Sequence, residues 1–303
     1  MNPDSHAAVN LQALMQDLAQ QTFPSPALYV VATPIGNVGD LSLRAVNILM
    51  RVDAVACEDT RNTGHLLARY GLHKELIATH QHNERDAAQR LIARLQAGQC
   101  IAFVSDAGTP AVSDPGARLV DAVREAGLRV VPVPGASAAI AALSASGLVN
   151  DRFHFIGFLP AKAGQREAAL RALQAERSTL VFYEAPHRIE ETVESLAAQF
   201  EPQRRIVFAR ELTKLFEEIH RCTLAEAKAW LQADANRLKG EYVIVLEGAP
   251  AADDESAAQA DHVLRILLAE CPVKQAAGLA ARLTGLKKNL LYERALQLKD
   301  EMT

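Results

Sequence analysis

The 303 residues are 49% hydrophobic and 22% charged, enough apolar material for a sizeable core and for more than one domain. The formal net charge of -4 means that a polyanionic partner has to be met by local positive charge, and the four scattered cysteines offer neither a zinc knuckle nor a redox pair, so no metal site is expected. There is no run of about 18 uncharged apolar residues, and the N-terminus lacks a basic segment followed by an apolar one, so a cytoplasmic chain without a membrane span is expected.

Residues 1–26 are rich in Ala, Gln, Asp and Asn and end in Phe23-Pro24-Ser25-Pro26, which reads as a frayed or weakly helical extension closed by a breaker. From Leu28 onward, short apolar runs alternate with segments of helical period. Strands are predicted at 28–32, 53–57, 100–104 and 129–133, and helices at 42–51, 84–97 and 115–126, an alternation that predicts a mainly parallel α/β sheet. A second set follows, with strands at 153–158, 179–183, 206–209 and 242–246 and helices at 164–177, 187–199 and 223–236. A boundary near 134–150 gives two α/β domains, 27–134 and 135–249. The acidic, Ala-rich stretch 250–260 reads as a linker, and 261–303 as three short helices with a net basic charge.

Glycine and proline fall where chemistry is expected. Thr33-Pro34-Ile35-Gly36-Asn37, Ser105-Asp106-Ala107-Gly108-Thr109-Pro110 and Pro134-Gly135-Ala136-Ser137 each follow a strand-like run directly. Taken singly, such loops are ordinary tight turns; together they place several ligand-approachable backbones at the carboxyl edge of one sheet. The first loop has no G-x-G-x-x-G, Pro34 removes an amide that a pyrophosphate would want, and no Walker A sequence occurs. Phosphate-cradled nucleotides are thereby disfavoured, leaving a ligand held by carbonyls, small side chains and a carboxylate.

The loop and helix from Thr33 to Ala45 resemble the opening motif of the tetrapyrrole-methylase superfamily. Cys57-Glu58-Asp59-Thr60-Arg61, Ser105 to Pro110, Ser113-Asp114-Pro115-Gly116, Pro134 to Ser137 and Tyr183-Glu184-Ala185-Pro186-His187-Arg188 narrow the resemblance to the ribosomal RNA small-subunit methyltransferase I family. It runs from about Leu28 to Gly248, and the basic tail also looks like that family's C-terminal extension. The resemblance implies two α/β domains with S-adenosylmethionine in the cleft between them, a small C-terminal helical domain, and 2'-O-methylation of a cytidine in 16S ribosomal RNA by a homodimer. It also implies a cofactor pocket lined by Pro34, Gly36, Asp106, Ala107, Gly108, Ser113, Pro134, Ser137, Tyr183, Ala209 and Glu241.

In those motifs Glu58, Asp59, Glu184 and His187 are the titratable groups available to help a ribose hydroxyl attack a sulfonium, and Arg61 and Arg188 the groups to clamp a neighbouring phosphate. Each has a structural alternative: the acids as helix caps, the arginines as their ion-pair partners, and Asp106 as a turn cap. Thr60 and Asn62 point to an irregular exposed loop, which favours functional roles for Asp59 and Arg61. His187 is the weakest choice. In the tail, apolar residues at helical spacing from Ala276 to Leu291 break at Thr284-Gly285, and Lys274, Arg282, Lys287 and Lys288 are the expected RNA contacts. Tetrapyrrole or diphthamide-precursor methylation, and a non-catalytic nucleic-acid-binding ligand sensor, are the alternative functions.

Overall fold

The computed structural model describes residues 11–79, 84–250 and 253–301. The first ten residues of the predicted extension and residues 251–252 of the predicted linker lie outside them. The order is α1 (Leu11–Gln20), β1 (Leu28–Val31), α2 (Leu43–Arg51), β2 (Ala54–Cys57), α3 (Thr60–Arg69), β3 (Glu75–Ala78), α4 (Glu84–Gln96), β4 (Ile101–Val104), α5 (Ala117–Glu125) and β5 (Val130–Val133). A second run follows: α6 (Ala138–Ala145), β6 (Phe153–Phe158), α7 (Ala163–Ala172), β7 (Thr179–Glu184), α8 (Ile189–Gln199), β8 (Arg205–Arg210), β9 (Glu218–Thr223), α9 (Leu224–Gln232) and β10 (Tyr242–Leu246). The chain closes with α10 (Asp253–Glu270), α11 (Val273–Thr284) and α12 (Lys288–Glu301).

The first sheet is all parallel, in the order β3-β2-β4-β1-β5. β2 and β4 are buried along their whole length, which is why Ala54–Cys57 and Ile101–Val104 read as continuous apolar runs rather than alternating ones. Two core clusters flank the sheet, one around Tyr29, Val31, Ile48 and Val55, the other around Leu28, Leu91, Phe103 and Leu119. The parallel order brings the loops after β1, β2, β4 and β5 to one edge.

The second sheet, β6-β7-β10-β8-β9, is mixed. Only β6 and β7 run parallel; β10 pairs antiparallel with both β7 and β8, and β9 is antiparallel to β8. The alternating pattern therefore gives the elements of this domain but not their directions. α6 lies against this sheet, with Ala139 and Ala142 in a cluster with Val181, Val207, Val243 and Val245. Its small residues allow a close helix-to-sheet approach.

Two expectations are corrected and a third is narrowed. The stretch 250–260 is helical from Asp253, as the first half of the 18-residue α10, because its alanines extend the period that continues through Leu264. The extension, read as frayed or weakly helical, is helical over Leu11–Gln20 as α1, where the Leu18 carbonyl accepts a hydrogen bond from Asn47 Nδ2 of α2 at 2.9 Å. Finally, 60–62 is not an irregular loop but the first turn of α3, capped by Asp59, whose carboxylate accepts from Arg61 N (2.8 Å) and Asn62 N (3.4 Å). The tail forms its own core around Leu264, Ala280, Leu291 and Leu298, and α11 ends on left-handed Gly285 (φ 73°) at the predicted break. Among the described residues no helix is long and apolar enough to cross a membrane.

Candidate active site

The three Gly- and Pro-containing loops are joined by hydrogen bonds. Thr33 N donates to Gly108 O (2.8 Å) and Gly108 N to Thr33 O (3.1 Å), which links the loops after β1 and β4. Thr33 Oγ1 adds a bond to Ser105 O at 3.1 Å, and Thr109 Oγ1 donates to Ala136 O at 3.1 Å, linking the loops after β4 and β5. Gly108 sits at φ +77°, a conformation that costs glycine nothing and leaves its backbone open to the cleft.

Opposite these loops stand the ends of β7, β8 and β10. Between the two sheets lies a cleft of about 280 Å³. Its first-domain wall is Ile35, Ala107 to Thr109 and Val112 to Asp114; its second-domain wall includes Ser137, Ala138, Phe158, Tyr183 to Pro186, Ala209, Leu212, Lys214 and Glu241 to Val243. Antiparallel β10 explains the mixture: the start of β10 and the ends of β7 and β8 reach the same edge. Tyr183 is held edge-on by Phe155 (centroids 5.0 Å apart) and Phe158 (5.6 Å), while its hydroxyl accepts from Ala139 N at 3.2 Å. Burial raises its phenol pKa, so it stays neutral.

Lys214 is the cationic side chain among the lining residues, and it is engaged by Glu211 and Glu241, each at 2.8 Å. Burial opposes its charge, but the hydrogen bonds to Glu211 and Glu241 outweigh it and raise its pKa. The turn that carries it is held by left-handed Glu211 (φ 50°) and Thr213 (φ 68°). On the other wall, Ala111 (φ 65°) and Ser113 (φ 59°) also adopt left-handed backbone. The Ser113 hydroxyl occupies the space that a Cβ on Gly157 would need, 2.4 Å away, at the point where the β6–β7 register shifts between Phe155 and Gly157. A bulge in the second domain thus seats a loop of the first.

Of the expected pocket residues, Ala107, Gly108, Ser113, Ser137, Tyr183, Ala209 and Glu241 line the cleft. Pro34, Gly36, Asp106 and Pro134 do not. Asp106 instead accepts from Asn62 Nδ2 (2.8 Å) and Asp59 N (3.4 Å), tying the β4 loop to the start of α3. Gly36 faces Lys214, whose Cγ lies 2.5 Å from where a Cβ would stand, and Pro134 O accepts from Ser42 Oγ at 3.3 Å.

Of the expected catalytic residues, only Glu184 lines the cleft; Glu58, Asp59, Arg61 and Arg188 lie outside the lining. Asp59 is occupied as a cap and by its ion pair with Arg61 (3.1 Å), and the Arg61 hydrogen bond holds its carboxyl at about 2, which makes it a weak proton acceptor. Glu184 is buried, bonded to Thr192 Oγ1 and Ala185 N, and paired with Arg188 at 3.4 Å. Arg188 also donates to the carbonyls of Leu159 (2.7 Å) and Pro160 (3.3 Å), so this pair braces the cleft wall from behind.

Comparison with known proteins fits this architecture. Residues 27–228 match the family described as Tetrapyrrole (Corrin/Porphyrin) Methylases, and residues 254–299 match the RsmI C-terminal HTH domain. The Ribosomal RNA small subunit methyltransferase I of Escherichia coli O157:H7 is 52% identical over 270 residues, 89% of this chain and 94% of that protein. The chain belongs to the ribosomal RNA small subunit methyltransferase I family. The Pseudomonas aeruginosa member is likewise 52% identical, over 89% of this chain and 96% of its own.

Among solved structures, this methyltransferase I family member shares its fold with the methyltransferase CobJ (TM-score 0.56, 22% identity, 73% of this chain and 94% of that one). A Thermus thermophilus uroporphyrin-III C-methyl transferase complexed with S-adenyl homocysteine is similar too (TM-score 0.52, 20% identity, 73% and 97%). Sequence reasoning missed Phe158, Asp114 and Lys214 as cleft residues of this family member. Asp114 stood inside a quoted motif, and its place after two loop residues and before Pro115 was the available signal. Lys214 had none, because the turn that points it inward depends on two left-handed residues that sequence does not reveal.

Proposed function

We propose that this chain transfers the methyl group of S-adenosylmethionine to the 2'-hydroxyl of a cytidine in 16S ribosomal RNA, working in the cytoplasm on the small ribosomal subunit as a homodimer. The observation that carries the cofactor is the donor set of the cleft. Apolar walls from Ile35, Phe158 and Leu212, hydroxyls from Thr109 and Ser137, the backbone at Gly108 and the carboxylate of Glu241 suit a neutral nucleoside with a cationic, amino-acid tail. The cleft's lysine is already shared by two carboxylates, which leaves no charge for a polyphosphate. When bound, S-adenosylmethionine supplies an electrophilic methyl on a sulfonium. The rest is positioning, for which Tyr183 and Phe158 give an aromatic wall.

The RNA assignment rests on family membership and on the tail, where Lys274, Arg282, Lys287 and Lys288 are all exposed while Arg294 is paired with Asp261. For the homodimer, exposed Ile140, Leu215, Phe216 and Ile219 supply apolar surface for a second copy to cover.

The decisive experiment is transfer of labelled methyl to undermethylated small subunits followed by alkaline hydrolysis. Label in an uncleaved dinucleotide is expected, because a blocked 2'-hydroxyl cannot attack the neighbouring phosphate. Label in mononucleotides would mean base methylation, and cofactor binding without transfer would favour the tetrapyrrole, diphthamide-precursor or sensor alternatives.

Replacing Lys287 and Lys288 by alanine in the full chain is expected to weaken subunit binding roughly 10-fold, and to reduce the slope of log affinity against log salt by about 1.4 if both meet phosphates. Cofactor affinity should not change, since the tail has its own core. An unchanged salt slope would remove these lysines from the RNA interface.

A further inference from the structure

We infer that the Asp114 carboxylate is the group that accepts the proton of the attacking ribose hydroxyl, an inference that rests on the function proposed above. Glu58, Asp59 and Glu184 are poorly suited. Glu58 and Asp59 lie outside the cleft lining, with Asp59 spent as a helix cap, and Glu184 is bonded to Thr192 and Ala185 and paired with Arg188. Asp114 alone of the four combines three features. It lines the cleft, it sits on the wall facing Tyr183 and Phe158, and among the described residues it forms no ion pair.

Its position is also fixed more firmly than an exposed loop would allow. The preceding residues Ala111 and Ser113 are held in left-handed backbone, Ser113 is seated on the Gly157 bulge of β6, and Pro115 and Gly116 follow before α5 begins. Such strain persists only where the surroundings over-determine it, and it is a feature of sites that must hold a group in place.

The surroundings set the proton affinity. Burial raises the Asp114 pKa above the ordinary aspartate value, Glu58 adds to the rise, a Ser105 hydrogen bond opposes it, and Asp106 adds again. Tyr183, across the cleft, carries no charge to offset these carboxylates; Glu184, Glu241 and the shared Lys214 complete the charged lining. A raised pKa makes the carboxylate a better proton acceptor.

The step balances. A lone pair on the 2'-oxygen forms the new C–O bond to the methyl carbon, and the methyl–sulfur bond breaks with its electron pair left on sulfur as a neutral thioether. The hydroxyl proton passes to Asp114, which releases it to solvent.

The test uses the full-length protein. In single-turnover transfer at saturating subunit and cofactor, Asp114→Asn is expected to be about 100-fold slower or worse. Its affinities for S-adenosylmethionine and for the subunit should stay within about threefold of wild type. Wild-type rate should rise with pH through the Asp114 titration, and the variant should lose that limb. Independently of activity, the Asp114 carboxyl carbon in 13C-labelled wild-type protein, assigned by through-bond correlation, should titrate above the ordinary aspartate range. Overturning results are a variant within threefold of wild-type rate, a loss of cofactor affinity as large as the loss of rate, or an ordinary titration. If wild-type protein labels no 2'-hydroxyl, the functional reading falls and this inference with it. If wild type does label it and the variant keeps pace, only the inference falls.

Discussion

Replacing Gly116 by alanine is expected to lower stability by about 4 kcal/mol, from left-handed strain and overpacking of 1–3 kcal/mol each. Gly116 has φ 123° and ψ -14°, where side chains other than glycine are strained. The added Cβ would lie 2.3 Å from Cε1 and Cζ of Phe103. That ring is 3% exposed and packed among Leu28, Ala56, Leu91 and Leu119, so it has nowhere to turn. Gly116 N also donates to Glu84 Oε1 at 3.1 Å, a bond that a shifted backbone would lose. Gly127 is the control: it too is left-handed (φ 73°), but nothing lies within 4 Å of its would-be Cβ, so Gly127→Ala should cost only about 1 kcal/mol. Urea midpoints at unchanged slope measure both. Equal losses at the two sites would show that Phe103 yields, and that conformation alone is at stake.

Removing the Glu184 carboxylate is expected to cost about 3 kcal/mol in Glu184→Ala, at the lower end of what breaking a buried pair costs. Glu184 has no exposed side-chain surface and its partner Arg188 is 18% exposed, so the guanidinium would be left largely buried without its counter-charge. Two carbonyls, of Leu159 and Pro160, still receive its Nη2, which keeps the loss from the upper end. A double-mutant cycle with Arg188→Met separates the pair from its context: the double variant should recover part of the loss, because a neutral filler leaves no unpaired charge. Strict additivity would mean that Glu184 acts through Thr192 and Ala185 instead of through Arg188.

Where the sequence spoke clearly, apolar runs were long or uninterrupted, as in β2, β4 and β10. β3 and β9 escaped because they are edge strands, only partly covered: Glu75–Ala78 has no fully buried residue, and Glu218–Thr223 alternates half-buried and exposed positions with charged side chains. α3 escaped because Thr60, Asn62 and an interior Gly64 are poor helix formers, and only the Asp59 cap and the packing of Thr63 and Leu67 make the segment helical. The cleft was legible as loops but not as a lining. The family resemblance pointed to Gly108, Ser137 and Tyr183, whereas which neighbour turns inward depended on antiparallel β10, the β6 bulge and four left-handed residues. Asp106 stood out in sequence yet anchors α3, while Asp114, eight positions on, faces the cavity.

Each sheet is wrapped by its own apolar clusters, and the two halves meet across a cleft furnished by both. A ligand in that cleft is therefore mortar as well as substrate. It binds only when both halves are in place, so it penalises the opening of either one by the same free energy, about 2.7 kcal/mol at a concentration 100 times its dissociation constant. Two domains with separate cores are thereby coupled, when the cleft is loaded, into a more cooperative whole.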